Sequence, residues 1–107
     1  MTVLYGLKNC DTCRKALKAL GKAGHSVQFV DVRADGVPAD QLARFFDRFG
    51  MALLNTRSTT WRGLDATARE TPPLALLAEH PTLMKRPVID HNGTLTLGWA
   101  KDVQVQF

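Results

Sequence analysis

Val3-Leu4-Tyr5-Gly6-Leu7-Lys8-Asn9-Cys10-Asp11-Thr12-Cys13-Arg14-Lys15-Ala16-Leu17 is the stretch on which the fold turns. Val3, Leu4 and Tyr5 form a short apolar run closed by Gly6, which reads as a buried strand. The period then changes. Cys13, Ala16, Leu17 and Leu20 recur at i, i+3, i+4 and i+7, the spacing of one helix face, while Arg14, Lys15 and Lys18 fall on the other. Gly24 is a fitting C-terminal stop. Val27-Gln28-Phe29-Val30-Asp31-Val32 reads as a second strand. Strand, helix and strand in roughly thirty residues make a βαβ unit, whose crossover is right-handed.

Downstream, a second helix is predicted from about Pro38 to Phe49. Leu42, Phe45, Phe46 and Phe49 form its apolar stripe, which reads as core, and Gly50 ends it. Asn55 to Glu70 is polar and interrupted, with short helical turns expected after Ser58 and Asp65. Thr71-Pro72-Pro73 reads as a cap followed by first-turn proline, opening a helix through Leu74, Leu77 and Ala78 that Pro81 stops. Arg86-Pro87-Val88-Ile89-Asp90, a turn at His91-Asn92-Gly93, and Thr94-Leu95-Thr96-Leu97-Gly98 read as a β-hairpin, with a short helix after Trp99. The order is βαβ, a helical middle, ββ and α. That predicts an α/β protein with a mixed four-stranded sheet covered by helices, the order of the thioredoxin-like fold. One domain over 1–107 is expected, with a helical insertion at about 38–85.

Composition narrows the function classes. The 107 residues are 45% hydrophobic and 22% charged, ordinary for a globular chain. Two cysteines exclude a disulfide-stapled scaffold, and no apolar run approaches the ~20 residues a membrane span needs. Met1-Thr2-Val3-Leu4-Tyr5-Gly6 does not read as a secretory leader, so a cytoplasmic, reducing compartment is expected. The net charge of +4 favours anionic partners such as glutathione or an acidic protein surface. No dense Lys/Arg block interleaved with aromatics is present, so neither direct nucleic-acid binding nor a membrane role is expected. Nothing in the pattern calls for an obligate interface, and a monomer is expected.

The chemistry concentrates in Cys10-Asp11-Thr12-Cys13, at the turn from first strand to first helix. A thiol at a helix N-terminus meets unpaired backbone N–H groups and the positive end of the dipole, and both favour thiolate. Lys8 and Arg14 add positive charge nearby. Cys10 is placed to attack, and Cys13, one turn in, to resolve a mixed disulfide. Cys13 also fits the plainer role of a small buried hydrophobe. A zinc site would need two further ligands, and His25, His80 and His91 lack ligand spacing, so no metal is expected. Pro87 is either a simple strand entry or, in a thioredoxin-like fold, a cis proline beside the thiol. Arg86 would then point into the same pocket, offering fixed donors to a carboxylate or oxyanion. Arg57 is a second candidate for that anion, against the plain reading of a surface charge.

Tyr5 to Ala16 resembles the opening of the ArsC/Spx family. Asn55-Thr56-Arg57-Ser58-Thr59-Thr60-Trp61-Arg62, Lys85-Arg86-Pro87-Val88-Ile89 and Leu97-Gly98-Trp99 resemble its later blocks in the same order, nearest to a small Gram-negative branch. The resemblance implies a thioredoxin-like domain with an inserted helical middle. It further implies an arsenate reductase-like thiol–disulfide oxidoreductase in which Cys10 is the nucleophile and glutathione the co-substrate, with glutaredoxin as an electron donor and no bound cofactor. Arg57 and Arg86 would hold the oxyanion, and Lys8 and Pro87 would complete that site. The Spx branch implies a different role, a Cys10–Cys13 redox switch that binds RNA polymerase through the C-terminal domain of its α-subunit. The arsenate reductases lack a cysteine at the Cys13 position and carry a third arginine where this chain has Trp99.

Overall fold

A computed structural model describes residues 1–107. Four strands form one sheet in the order β2-β1-β3-β4: β1 (Thr2–Gly6), β2 (Val27–Asp31), β3 (Val88–His91) and β4 (Thr94–Leu97). β1 runs parallel to β2 and antiparallel to β3, and β3 pairs antiparallel with β4. The parallel pair is joined by α1 (Asp11–Lys22), because a parallel connection needs a crossover of this length. In register, Phe29, Leu4, Ile89 and Thr96 form one row across the sheet. Leu4 and Ile89 in that row are wholly buried with Cys13, Ala16 and Leu20 of α1, so the helical stripe and the sheet face close on each other. Burying a Leu or Ile side chain contributes about 1.5–3 kcal/mol, so this row and stripe anchor α1 on the sheet.

The chain divides into two compact units, Met1–Asp35 with Arg86–Phe107, and Gly36–Lys85. The second unit holds α2 (Ala39–Phe49), α3 (Thr59–Arg62), α4 (Ala66–Arg69) and α5 (Pro73–Glu79), with 3-10 turns at Gly50–Leu53 and Pro81–Leu83. Phe45 and Leu42 are buried as the stripe predicts, whereas Phe46 and Phe49 at its edges are half-buried. Ser58 and Asp65 cap α3 and α4 by accepting the Trp61 and Ala68 N–H groups. Helix α5 begins one residue later than the Thr71 cap predicts. Pro72 is extended (φ −52°, ψ 140°) because the residue before a proline is pushed out of the helical region. Leu54 bridges Met84, and Asn55 and Lys85 donate to the Leu83 and Leu53 carbonyls, tying the middle of this unit to its C-terminal end.

The hairpin turn is shorter than the sequence suggests. His91 joins β3 opposite Thr94, leaving Asn92 and Gly93 alone in the turn, both with positive φ (52° and 95°). Two positive-φ residues make the primed turn whose twist suits a two-residue hairpin. A final helix, α6 (Lys101–Gln104), follows Trp99. His25, His91 and Phe107 meet edge-to-face, with ring centroids 5.0–5.9 Å apart, as packing aromatics. No helix is long and apolar enough to cross a membrane.

Candidate active site

Cys10 occupies the N-cap of α1 with extended backbone (φ −94°, ψ 118°), and its N–H returns to the Leu7 carbonyl at 3.2 Å. The sulfur makes no full capping bond. Even so, the Cys13 N–H lies close enough to favour negative charge on it. Burial alone would push the Cys10 thiol up. The Cys13 N–H, the Cys13 thiol and the Arg86 guanidinium together outweigh burial, so Cys10 ionises below its ordinary value.

Cys13 is the opposite case. It is wholly buried on the apolar stripe, and burial drives its thiol up to about 11. The Leu7 N–H pulls the other way, while a neighbouring Cys10 thiolate raises Cys13 further. The pair therefore shares its protons unequally: Cys10 ionises first, while Cys13 stays a thiol that donates to it. Both cysteines are free.

Gly6 makes room for this arrangement. A Cβ at residue 6 would lie 2.5 Å from the Cys13 sulfur, so the sulfur uses the space that a side chain would fill. The sequence reads Gly6 only as the end of a strand. The sequence likewise reads Asp31 only as part of a strand. It is buried at the end of β2 and accepts N–H bonds from Arg33 (2.9 Å) and Ala34 (3.0 Å), with a longer one from Lys8 (3.4 Å) in the loop before Cys10. These N–H groups, Ala34's foremost, hold its carboxyl below the usual range against the effect of burial. A carboxylate closing the strand after Phe29 and Val30 is the one signal that could mark it.

The structure brings Cys10, Cys13 and Arg86 together, and Pro87 follows Arg86 in the chain. The Arg86–Pro87 bond is cis, and the Pro87 carbonyl accepts the Gly98 N–H at 2.8 Å. The positive charge acting on Cys10 is that of Arg86; the charge of Lys8 acts on Asp31. Arg57 belongs to the second unit. There it lines a polar pocket of about 400 Å³ with Leu54, Asn55, Thr56 and Lys85, and Asn55 orders the turn by accepting the Arg57 N–H at 3.2 Å. Nothing in the spacing marks Lys85 for this pocket. No group of three or more His, Cys, Asp or Glu side chains is arranged to hold a metal ion.

Sheet order, crossover helix and a thiol pair at the helix N-terminus define a thioredoxin-like thiol protein. The chain belongs to the ArsC family, whose model matches residues 5–107. An uncharacterised protein of Haemophilus influenzae is 42% identical over 113 residues, covering all of this chain and 99% of that one. The global transcriptional regulator Spx of Bacillus subtilis is 30% identical over 111 residues, 95% of this chain and 82% of the regulator. The solution structure of an arsenate reductase related protein from Brucella melitensis is 32% identical, with a TM-score of 0.73, and covers 99% of this chain and 92% of that one.

Proposed function

We propose that this protein is a glutathione-dependent thiol–disulfide oxidoreductase of the arsenate reductase-like type, with Cys10 as nucleophile. The observation that carries the reading is the split between the two thiols: Cys10 favours thiolate, while Cys13 beside it is held as a thiol to about pH 11. The Cys10 thiolate attacks one sulfur of a substrate disulfide. A Cys10–S–S bond forms as the substrate S–S bond breaks, and its electron pair departs on the other sulfur as thiolate, which takes a proton from water. Arg86 is assigned to stabilise charge on the reacting sulfurs, and Arg57, in its own polar pocket, to hold an anionic group.

The adduct has two fates. Once Cys10 is in a disulfide it carries no charge, and that part of the rise on Cys13 disappears while burial remains. Cys13 then gives its proton to solvent and attacks the Cys10 sulfur, releasing the bound thiol and leaving a Cys10–Cys13 disulfide that two glutathiones reduce. Alternatively glutathione attacks the adduct directly. The remaining burial of Cys13 favours the direct route. Turnover of a glutathione mixed disulfide by the wild type, Cys10→Ser and Cys13→Ser tests this. Loss in Cys10→Ser with retention in Cys13→Ser is expected, and full turnover in Cys10→Ser sinks the mechanism. Trp99, where the arsenate reductases carry an arginine, removes one anion contact and favours disulfides over arsenate as substrate.

The likeness to Spx supports a second reading, in which oxidation of the Cys10–Cys13 pair switches affinity for RNA polymerase, at the C-terminal domain of its α-subunit. A pull-down with that domain under reduced and oxidised conditions decides it. Binding that differs between the two states supports the regulator, and no binding in either state removes it.

A further inference from the structure

A groove of about 140 Å³ opens beside the nucleophile loop, lined by Leu7, Lys8, Arg14, Leu17 and Phe29. Its floor is apolar. Leu7 is buried, and Leu17 and Phe29 are half-buried with their inner edges on the core around Leu4 and Cys13. The volume is close to the ~150 Å³ cavity that takes a benzene ring, so the groove holds one aromatic or branched aliphatic side chain. Its walls flank Cys10 along the chain. The Leu7 carbonyl accepts the Cys10 N–H at 3.2 Å, and the Arg14 N–H donates to the Cys10 carbonyl at 3.0 Å.

The rim is cationic. Lys8 and Arg14 are exposed, and α1 continues with exposed Lys15, Lys18 and Lys22. Asp11 pairs with the Arg14 guanidinium at 2.8 Å, and the Asp31 carboxylate is taken up by the N–H groups of its own loop. An apolar floor under a positive rim complements an apolar side chain carried by an acidic segment. Neither glutathione nor a small oxyanion has a side chain that would use the floor.

The geometry points to a polypeptide subsite: the apolar neighbour of a disulfide-linked cysteine, in an acidic segment, seats on Leu7, Leu17 and Phe29 while Lys8 and Arg14 meet the flanking carboxylates. This rests on the thiol reading above and moves its substrate class from small disulfides to protein mixed disulfides. Cys10 attacks the polypeptide's cysteine sulfur and forms a bond to it. The electron pair of the broken S–S bond leaves on the small thiol as thiolate, which water protonates.

The test is an amide NMR titration of the full chain with an acidic peptide carrying phenylalanine beside a serine in place of the cysteine. Shifts centred on Leu7, Leu17 and Phe29 are expected, with affinity about tenfold above that of the same peptide with glycine for phenylalanine. Added salt should weaken binding. Leu17→Gln should erase the difference between the peptides, and Arg14→Glu, a surface change, should erase the preference for the acidic context. Equal affinity for the two peptides, or shifts away from the groove, overturns the proposal. The cysteine peptide, as its glutathione mixed disulfide, is assayed in parallel for turnover. Groove binding without turnover supports the subsite and removes the oxidoreductase reading; turnover without preference does the reverse.

Discussion

Replacing Gly6 by alanine tests whether the depth of the Cys13 thiol is set by missing volume. The backbone at Gly6 is not left-handed, so a side chain is not forbidden by conformation. What forbids it is the Cys13 sulfur at 2.5 Å, the Cys13 Cβ at 3.2 Å and a Leu4 methyl at 3.2 Å. Optimal non-bonded separations are about 3.5–4.0 Å, so the sulfur must retreat by about 1 Å. It has nowhere to go, since Cys13 is wholly buried among Leu4, Ala16, Leu20 and Ile89. Overpacking of this kind costs about 1–3 kcal/mol. A domain near this size loses about 4–8 °C in Tm per kcal/mol, so a central cost of about 2 kcal/mol lowers Tm by about 8–16 °C. Circular dichroism melts of the wild type, Gly6→Ala, Cys13→Ala and the double variant form the cycle. Removing the sulfur removes the worst contact, so the double variant should recover about 1–2 kcal/mol relative to additivity. A Gly6→Ala protein as stable as the wild type, or strictly additive losses, would refute the reasoning.

Arg86→Gln removes a donor and a positive charge from the Cys10 thiolate. The thiolate absorbance transition should move to higher pH, and iodoacetamide alkylation of Cys10 at neutral pH should slow; an unmoved transition contradicts the role of Arg86. Asp31→Asn should cost about 1–3 kcal/mol at neutral pH in urea unfolding, because the Ala34, Arg33 and Lys8 N–H groups lose a charged acceptor. The folded Asp31 is held below the ordinary carboxyl value. Its contribution is therefore complete above the unfolded pKa of ~3.9 and lost as pH falls through the folded one. The gap between wild type and Asp31→Asn should accordingly narrow in acid, and a gap independent of pH argues against the carboxylate. Gly93→Ala forces a side chain into the positive-φ half of the hairpin turn and should cost about 1–2 kcal/mol, while Cys10 alkylation stays as in the wild type.

The βαβ opening was legible because its signals are local. Val3-Leu4-Tyr5 and Cys13-Ala16-Leu20 each carry their period within a few residues, and the structure places both in the core they predict. Ser58 and Asp65 announced their helical turns because capping is a contact over three residues. The thiol pair was legible for the same reason, since its chemistry follows from standing at a helix start. What spacing does not give is how far apart the two thiols are held in their readiness to ionise. That depends on burial of Cys13 under the sheet and on Arg86, more than seventy residues away in the chain.

Boundaries misread by one or two residues trace to pairing and to proline. His91 looked like part of a turn but is held in β3 by Thr94 on one side and Thr2 on the other. Pro72 looked like a first-turn residue, but the proline after it denies it helical backbone.

By itself, then, the chain's sequence determined the order of elements, the class of the sheet and the placing of the two thiols at the start of α1, all of which rest on periodicity and caps read within one or two turns. Only the tertiary structure decided why residue 6 must be glycine, that the Asp31 carboxylate braces the loop before Cys10, and that Leu7, Leu17 and Phe29 open a groove beside it. Each of these depends on volumes and hydrogen bonds between residues that are brought together by the sheet rather than by the chain, and such contacts leave no period for a sequence to show.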